Sequence, residues 1–319
     1  MKILITGGAG FIGSHLAERL LEDGHHVSII DNLSTGRLEN IESIKENGNF
    51  HYTIGSVLNR ELMNKLMVGI DQVYHLAAAV GVKYIIENPL LSLKTNIVGT
   101  DNVLELANKN KAKVLITSTS EIYGKSEKVP FSEDDDRLLG STRISRWGYS
   151  DSKAIDEFMA LAYFREKRLP VVIVRCFNTV GPRQTGQYGM VLPKFIKAAL
   201  LDQPLVVYGS GQQTRCFADV SDVVDAFIKL MNTPGCQGEI FNVGTTEAIS
   251  MEALAHKVKA MCESKSRIDF MSYEEAFEEG FEDMMNRMPN LDKIREFIAY
   301  EPKYNLDDII QRMIEYYEK

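Results

Sequence analysis

The stretch "TGGAGFIG" at residues 6–13 constrains this chain more than any other. It follows an apolar run, "KILITG" (2–7), and opens a stretch with helical periodicity, "GSHLAERLLEDG" (13–24). Gly7, Gly10 and Gly13 recur at every third position. Glycines so placed between a strand and a helix permit a tight turn, close approach of the backbone to a pyrophosphate, and close helix-on-strand packing. The N–H groups and dipole at the helix start then attract the phosphates. The next apolar run, "HVSIID" (26–31), ends in Asp31, 18 residues after Gly13. A carboxylate there binds the adenosine ribose hydroxyls and repels a 2′-phosphate, which predicts NAD rather than NADP.

The same rhythm continues. "DQVYHLAA" (71–78), "AKVLITS" (112–118) and "PVVIVRCF" (170–177) read as buried strands, and "PLLSLKTNIVGTDNVLELANKN" (89–110) reads as a helix. Strands alternating with helices predict βαβ units, and so an α/β fold: a Rossmann-type, doubly wound parallel sheet covered on both faces. After residue 178 the pattern changes to "FNTVGPRQTGQYGMVLP", rich in glycine, proline and polar residues. Helices are expected at 190–202, 221–232, 250–263, 273–281 and 305–318, with short strands near 205–208 and 239–243. We read residues 1–177 as an NAD-binding domain. Residues 178–319 then form a smaller α+β substrate lobe, interleaved with the first domain. The acidic runs "SEDDD" (132–136) and "EEAFEEGFED" (274–283) read as solvated faces.

At 319 residues, 45% hydrophobic and 25% charged, the chain carries enough apolar material for a large core. Its formal net charge of −8 excludes broad nucleic-acid binding, which needs a basic footprint, while a few arginines can still hold a small anion. No apolar run is long enough to span a membrane, and the N-terminus lacks a signal-peptide layout. Cys176, Cys216, Cys236 and Cys262 are widely spaced and form no C-x-x-C pair. This predicts reduced thiols in a cytoplasmic protein without a metal site.

Two further features carry chemistry. "ITSTSEIYG" (116–124) ends a buried strand in hydroxyls and the carboxylate of Glu121. "GYSDSKAIDE" (148–157) holds Tyr149 and Lys153 four apart, one turn along a single helix face. An ammonium beside a phenol favours the phenolate, so this pair predicts a tyrosine base.

Together, the glycine motif, "HLAA" (75–78), "STSEIYG" (118–124), Tyr149 with Lys153, and "FNTVGPR" (177–183) resemble the extended short-chain dehydrogenase/reductase family acting on nucleotide sugars. The resemblance runs over essentially the whole chain. It implies NAD held by Gly7, Gly10, Phe11, Ile12, Gly13, Asp31, Asn32, Ser56, Val57, Leu76, Ala77, Ala78, Tyr149 and Lys153. It implies that Tyr149 takes the proton of the sugar 4-hydroxyl as hydride passes to NAD. Lys153 would tune Tyr149 and bind the nicotinamide ribose, and Thr119 would hydrogen-bond the sugar oxygen. Asn178, Arg183, Arg215 and Arg287, with Val191, Lys194 and Tyr208, would hold the nucleotide sugar, a UDP-sugar by the resemblance. "YGMVLPKF" (188–195) resembles the segment that lines the uridine pocket. Members often carry a Gly-Asp pair that reads the adenine, and here "IGSVLN" (54–59) has Ser56 in place of the aspartate. Helices at 95–110 and 150–166 would form a homodimer interface.

Three reactions share oxidation at C4. An epimerase returns hydride to the other face and needs no further acid. A dehydratase carries an acid pair whose first member would here be Ser120. A decarboxylase of a UDP-uronic acid must hold a carboxylate and deliver a proton at C5. "STSE", "RWGYSDSK" (146–153), "TRCFADVSD" (214–222) and Arg287 before Pro289 resemble the UDP-glucuronate decarboxylases. By that resemblance Glu121 orients the sugar or assists protonation, and Arg287 contacts the uronate. The expected activity is therefore a UDP-glucuronate decarboxylase. A UDP-hexose or UDP-uronate 4-epimerase comes next and a 4,6-dehydratase after it, with an NAD-binding sensor as the non-enzymatic alternative.

Overall fold

The computed structural model describes residues 1–79, 81, 85, 87–186, 190–276 and 284–318. Seven strands form one wholly parallel sheet: β1 (Lys2–Thr6), β2 (His26–Asp31), β3 (Phe50–Ile54), β4 (Gln72–His75), β5 (Lys113–Thr119), β6 (Val171–Cys176) and β11 (Glu239–Val243). Their order is β11-β6-β5-β4-β1-β2-β3. The direction of winding therefore reverses between β1 and β4, where a crevice opens at the carboxyl ends of the strands.

The continuous apolar runs arise because both sheet faces are buried. Side chains alternate across a strand, so Ile3, Ile5, Leu115, Val172 and Val174 face one core, and Leu4, Val114, Ile116, Val171 and Ile173 face the other. The first core is closed by α1 (Phe11–Glu22), through Leu16 and Leu20, and by α6 (Val220–Asn232), through Val223 and Phe227. The second is closed by α2 (Arg60–Leu66), α3 (Pro89–Asn110) and α4 (Ser145–Lys167), through Met63, Val103, Leu104 and Ala160. β3 lacks a matching apolar run because His51, Tyr52 and Ile54 are exposed, and it was not among the expected strands.

A smaller lobe gathers α5 (Val191–Leu200), α7 (Met251–Met261) and α10 (Leu306–Tyr317) around Leu192, Phe195, Leu254, Val258, Ile310 and Met313. The capping box of Asn305 with Asp308 starts α10. β8 (Leu205–Tyr208) pairs with β13 (Ile268–Met271), and β7 (Thr179–Val180) pairs with β10 (Ala218–Asp219). β9 (Thr214–Cys216) lies between β12 (Ala248–Ser250) and β14 (Asn286–Arg287), in a register that sets Arg287 opposite Arg215. Among the described residues, no helix is long and apolar enough to cross a membrane.

Two expectations change. Strand 239–243 and helix 221–232 belong to the first sheet and its core, because Phe241 and Val243 complete the apolar layer over β6. The acidic run at 132–136 is not wholly solvated: Glu133 is buried and accepts the Asn242 N–H at 2.8 Å. The helix expected at 273–281 is seen as α8 (Tyr273–Ala276), and its remainder lies outside the described residues. A further helix, α9 (Asp292–Ile298), packs Ile294 into the first core.

Phe241 is fully buried and meets Phe297 edge-on at 5.1 Å. Phe241→Ala is expected to cost about 3–5 kcal/mol, read as a lowered urea midpoint. A shift confined to the second lobe would contradict the placement of β11 in the main sheet.

Candidate active site

The crevice at the sheet's carboxyl edge continues between the lobes as one cleft of about 1160 Å³. Its dinucleotide end is lined by Gly7, Gly10, Phe11, Ile12, Gly13, Asp31, Asn32, Ser56, Val57, Leu76, Ala77 and Ala78. The glycine turn fits a cofactor that must lie on backbone. A Cβ at Gly7 would stand 2.8 Å from the Ala77 nitrogen, and one at Gly13 would stand 2.2 Å from the Gly7 carbonyl oxygen. Gly7 also has φ +72°, where a side chain is strained. Asp31 holds this turn in place, since its carboxylate accepts the N–H groups of Ala9 at 3.0 Å and Leu33 at 2.8 Å. Burial pushes the Asp31 carboxyl up, and these backbone bonds pull it back. Ser56 accepts the Leu58 N–H at 3.2 Å and so shapes a turn at the cleft wall.

The middle of the cleft is reached by β5 and α4. Thr119 is the last residue of β5, and its hydroxyl accepts the Glu121 N–H at 3.2 Å. Ser150 donates to the Glu121 carbonyl at 2.8 Å, which fixes the start of α4 against the strand end. Asn96 accepts the Ala79 N–H at 2.9 Å and donates to Ser152 at 2.9 Å, tying α3 to the same point. Thr119, Glu121, Tyr149 and Lys153 all line the cleft. One Glu121 oxygen, Oε1, accepts from Arg287 at 3.2 Å and Arg146 at 3.4 Å, with both arginines buried.

The electrostatics differ from the sequence expectation. The Tyr149 phenol is pushed well above its ordinary value, first by burial and then by the Glu121 charge, while hydrogen bonding from Thr119 pulls it down. The Lys153 ammonium donates to Asp156 at 2.6 Å, inside the protein. Spacing along a helix brings two side chains to one face without choosing the partner of either.

At the far end, Asn178, Arg183, Val191, Lys194, Tyr208, Arg215 and Arg287 line the same cleft. Several are engaged within the chain. Asn178 donates to the Cys216 carbonyl at 3.0 Å. Arg183 donates to Glu18 at 2.7 Å and Ser14 at 3.2 Å, and Lys194 donates to the Tyr208 hydroxyl at 2.7 Å. Arg215 donates to the carbonyls of Thr214 at 2.8 Å and Met285 at 3.3 Å. Of "YGMVLPKF", Tyr188 and Gly189 lie outside the described residues, whereas Met190, Val191, Leu192, Pro193, Lys194 and Phe195 line the cleft. Among the described residues, no group of three metal-ligating side chains is present.

Residues 4–313 match the family described as GDP-mannose 4,6 dehydratase. The chain belongs to this family. Its relatives include the UDP-N-acetyl-alpha-D-glucosaminuronate decarboxylase of Bacillus cytotoxicus, 42% identical over all of this chain and 98% of the relative. The UDP-glucuronic acid decarboxylase 1 of Xenopus tropicalis is 37% identical over all of this chain and 72% of its own length. The solved UDP-glucuronic acid 4-epimerase of Bacillus cereus, in complex with UDP-glucuronic acid and NAD, superposes with a TM-score of 0.90. It is 29% identical over all of this chain and 99% of its own. The fold is thus that of the extended short-chain dehydrogenase/reductases.

Two further residues bear on the cleft centre: Arg146, which lines it and binds Glu121, and Asp156, which is buried behind Lys153 and binds it. Each sits three positions from a named residue, Tyr149 or Lys153, and a search at helical spacing finds both.

Gly7→Ala is expected to abolish NAD binding while the far-ultraviolet circular dichroism stays unchanged; isothermal titration with NAD checks it. An ionised Glu121 repels a phenolate, so Glu121→Gln is expected to lower the Tyr149 pKa and Thr119→Val to raise it. The acid limb of cofactor reduction, followed by absorbance against pH, should then move to lower pH in the first variant and higher pH in the second.

Proposed function

We propose that this protein is an NAD-dependent decarboxylase of a UDP-linked uronic acid, working through a transient 4-keto sugar. UDP-glucuronate and its 2-acetamido analogue are the substrates that the similar decarboxylases suggest. The observation that carries the reading is Glu121, held by Arg146 and Arg287 at the strand end that also presents Thr119 and faces Tyr149. A carboxylate and buried arginines at that point suit a substrate whose own carboxylate lies one carbon from the oxidised centre.

On this reading Thr119 hydrogen-bonds the C4 oxygen and Tyr149 accepts its proton. NAD, when bound, would supply the acceptor and later the donor of the C4 hydride. Lys153 binds the nicotinamide ribose. The resulting 4-keto acid carries its carboxylate β to a carbonyl. The bond from C5 to the carboxylate breaks and its electron pair passes into the C4 carbonyl, releasing carbon dioxide. Arg287 aligns the carboxylate before this step, and Glu121 orients the sugar and assists proton delivery to C5. Tyr149 returns its proton as C4 is reduced, so the cycle has no net redox change. Arg215, Asn178 and Arg183 face the diphosphate, and Val191, Lys194 and Tyr208 face the uridine.

A 4-epimerase is the second reading, favoured by the fold shared with the Bacillus cereus enzyme. It would use the same Tyr149, Lys153 and Thr119 and leave Glu121 without a chemical task. A 4,6-dehydratase fits less well, because the position of its first acid is Ser120, which is buried.

We also infer a cytoplasmic homodimer. All four cysteines are free thiols, which suits a reducing compartment. α3 and α4 pack together and expose Leu90, Leu91, Val98, Ile155 and Phe158, with Leu90 65% and Phe158 68% exposed. Apolar residues so grouped suit pairing with a second copy.

Incubation with UDP-glucuronate and UDP-N-acetylglucosaminuronate, followed by product mass, tests the reaction. Loss of carbon dioxide is expected, and an unchanged mass with inverted C4 would instead establish the epimerase. Tyr149→Phe is expected to lose turnover and keep bound NAD; full activity in that variant would remove Tyr149 as the base.

A further inference from the structure

The ion pair between Lys153 and Asp156 lies at the inner wall of the cleft, with side chains 2% and 0% exposed. Three groups surround it besides Tyr149: His75 at the end of β4, Cys176 at the end of β6, and Thr100 on α3. The imidazole links them to the glycine turn. His75 Nδ1 lies 2.7 Å from the Thr6 hydroxyl, and its Nε2 lies 3.0 Å from the Thr100 hydroxyl. Thr6 in turn accepts the Ala77 N–H at 3.2 Å, in the wall of the cofactor crevice.

Burial holds His75 near 3, so its ring is neutral, with one nitrogen donating and the other accepting. Placing the proton on Nε2 gives one consistent direction. Thr6 donates to Nδ1, Nε2 donates to Thr100, and the Thr100 hydroxyl is left to donate towards Asp156. Asp156 Oδ2 accepts from Lys153 on α4, while its buried Oδ1 has no hydrogen-bond partner. A buried ion pair adds little net stability, because desolvating both charges offsets their attraction. What it does supply is a fixed position for each charge.

We propose that Asp156 is a positioning residue for the reaction: it aims the Lys153 ammonium within the cofactor crevice and sets how much positive charge Tyr149 feels. The inference rests on the roles given above to Tyr149 and Lys153. Two consequences follow from the geometry. Asp156 restrains the group that meets the nicotinamide ribose, so losing it weakens NAD binding. Its negative charge also opposes ionisation of Tyr149, in the same direction as Glu121. The other charged or titratable groups facing this point are Lys153 and Glu157 on α4, His75 on β4, Cys176 on β6 and Glu121 beyond β5. All are retained in the Asp156 variants below.

The test uses the full chain with NAD and the uronic acid substrate that is turned over. Asp156→Asn is nearly isosteric. It is expected to weaken NAD binding by about tenfold or more. It should also shift the acid limb of kcat to lower pH by roughly half a unit or more, at an unchanged KM for the nucleotide sugar. Asp156→Glu keeps the charge but displaces it, and is expected to weaken NAD binding while leaving the acid limb in place. If Asp156→Asn does not fold, the glutamate variant carries the test through its affinity for NAD. Wild-type affinity together with a wild-type pH profile in the folded variants would overturn the proposal. Lys153→Met separates the two levels. Turnover surviving in Lys153→Met would overturn both the role of Lys153 and this proposal. Turnover lost in Lys153→Met but unaltered in the Asp156 variants would overturn the proposal alone.

Discussion

The carboxylate of Glu121 is where three distant stretches of chain are forced to agree. It leaves β5, receives Arg146 from the start of α4, and receives Arg287 from β14 in the second lobe. Removing one partner from a buried charge cluster of this kind typically costs about 3–5 kcal/mol, so each element is held by the other two. β14 itself exists through its pairing with β9, which brings Arg215 beside Arg287. The short second-lobe strands thus set the distance between the end of β5 and the side of the cleft lined by Arg215.

The same cluster shapes the chemistry. Tyr149 stands buried beside an acid, and both conditions resist its ionisation. Thr119 acts in the opposite direction by hydrogen bonding, and the Lys153 charge is shared with Asp156. If Tyr149 is the base, as proposed, a group held by opposing influences changes readiness with small rearrangements. Substrate and cofactor, by altering the charges around it, would then govern when proton transfer occurs.

Much of this was legible because its signals are local. A glycine turn between a strand and a helix, an acid ending the second strand, and apolar runs buried on both faces are each written within about ten residues. Tyr149 and Lys153 were found by spacing and both reach the cleft. Local signals could not choose among long-range partners. Lys153 was read beside Tyr149, and nothing in that spacing named Asp156 as the acid that pairs with it. Arg183 was expected at the substrate and, while lining the cleft, is tied to Glu18 across 165 positions of chain. Glu133 looked like part of a solvated run because nothing nearby reveals that the Asn242 amide needs an acceptor. β11 was read with the second lobe for a similar reason, since its strand character is local but its pairing with β6 is not.

That late strand bears on how the protein comes into being. Among the described residues, β6 pairs on one side with β5 and on the other with residues 239–243. A nascent chain that has emerged only as far as residue 177 therefore carries "VVIVRC" as a bare apolar edge, still lacking α6 and β11 to cover it. Such an edge can pair with another chain. The nucleotide half is first in sequence but cannot close first. Its completion waits on more than sixty further residues, and chaperone protection during synthesis matters most across that interval.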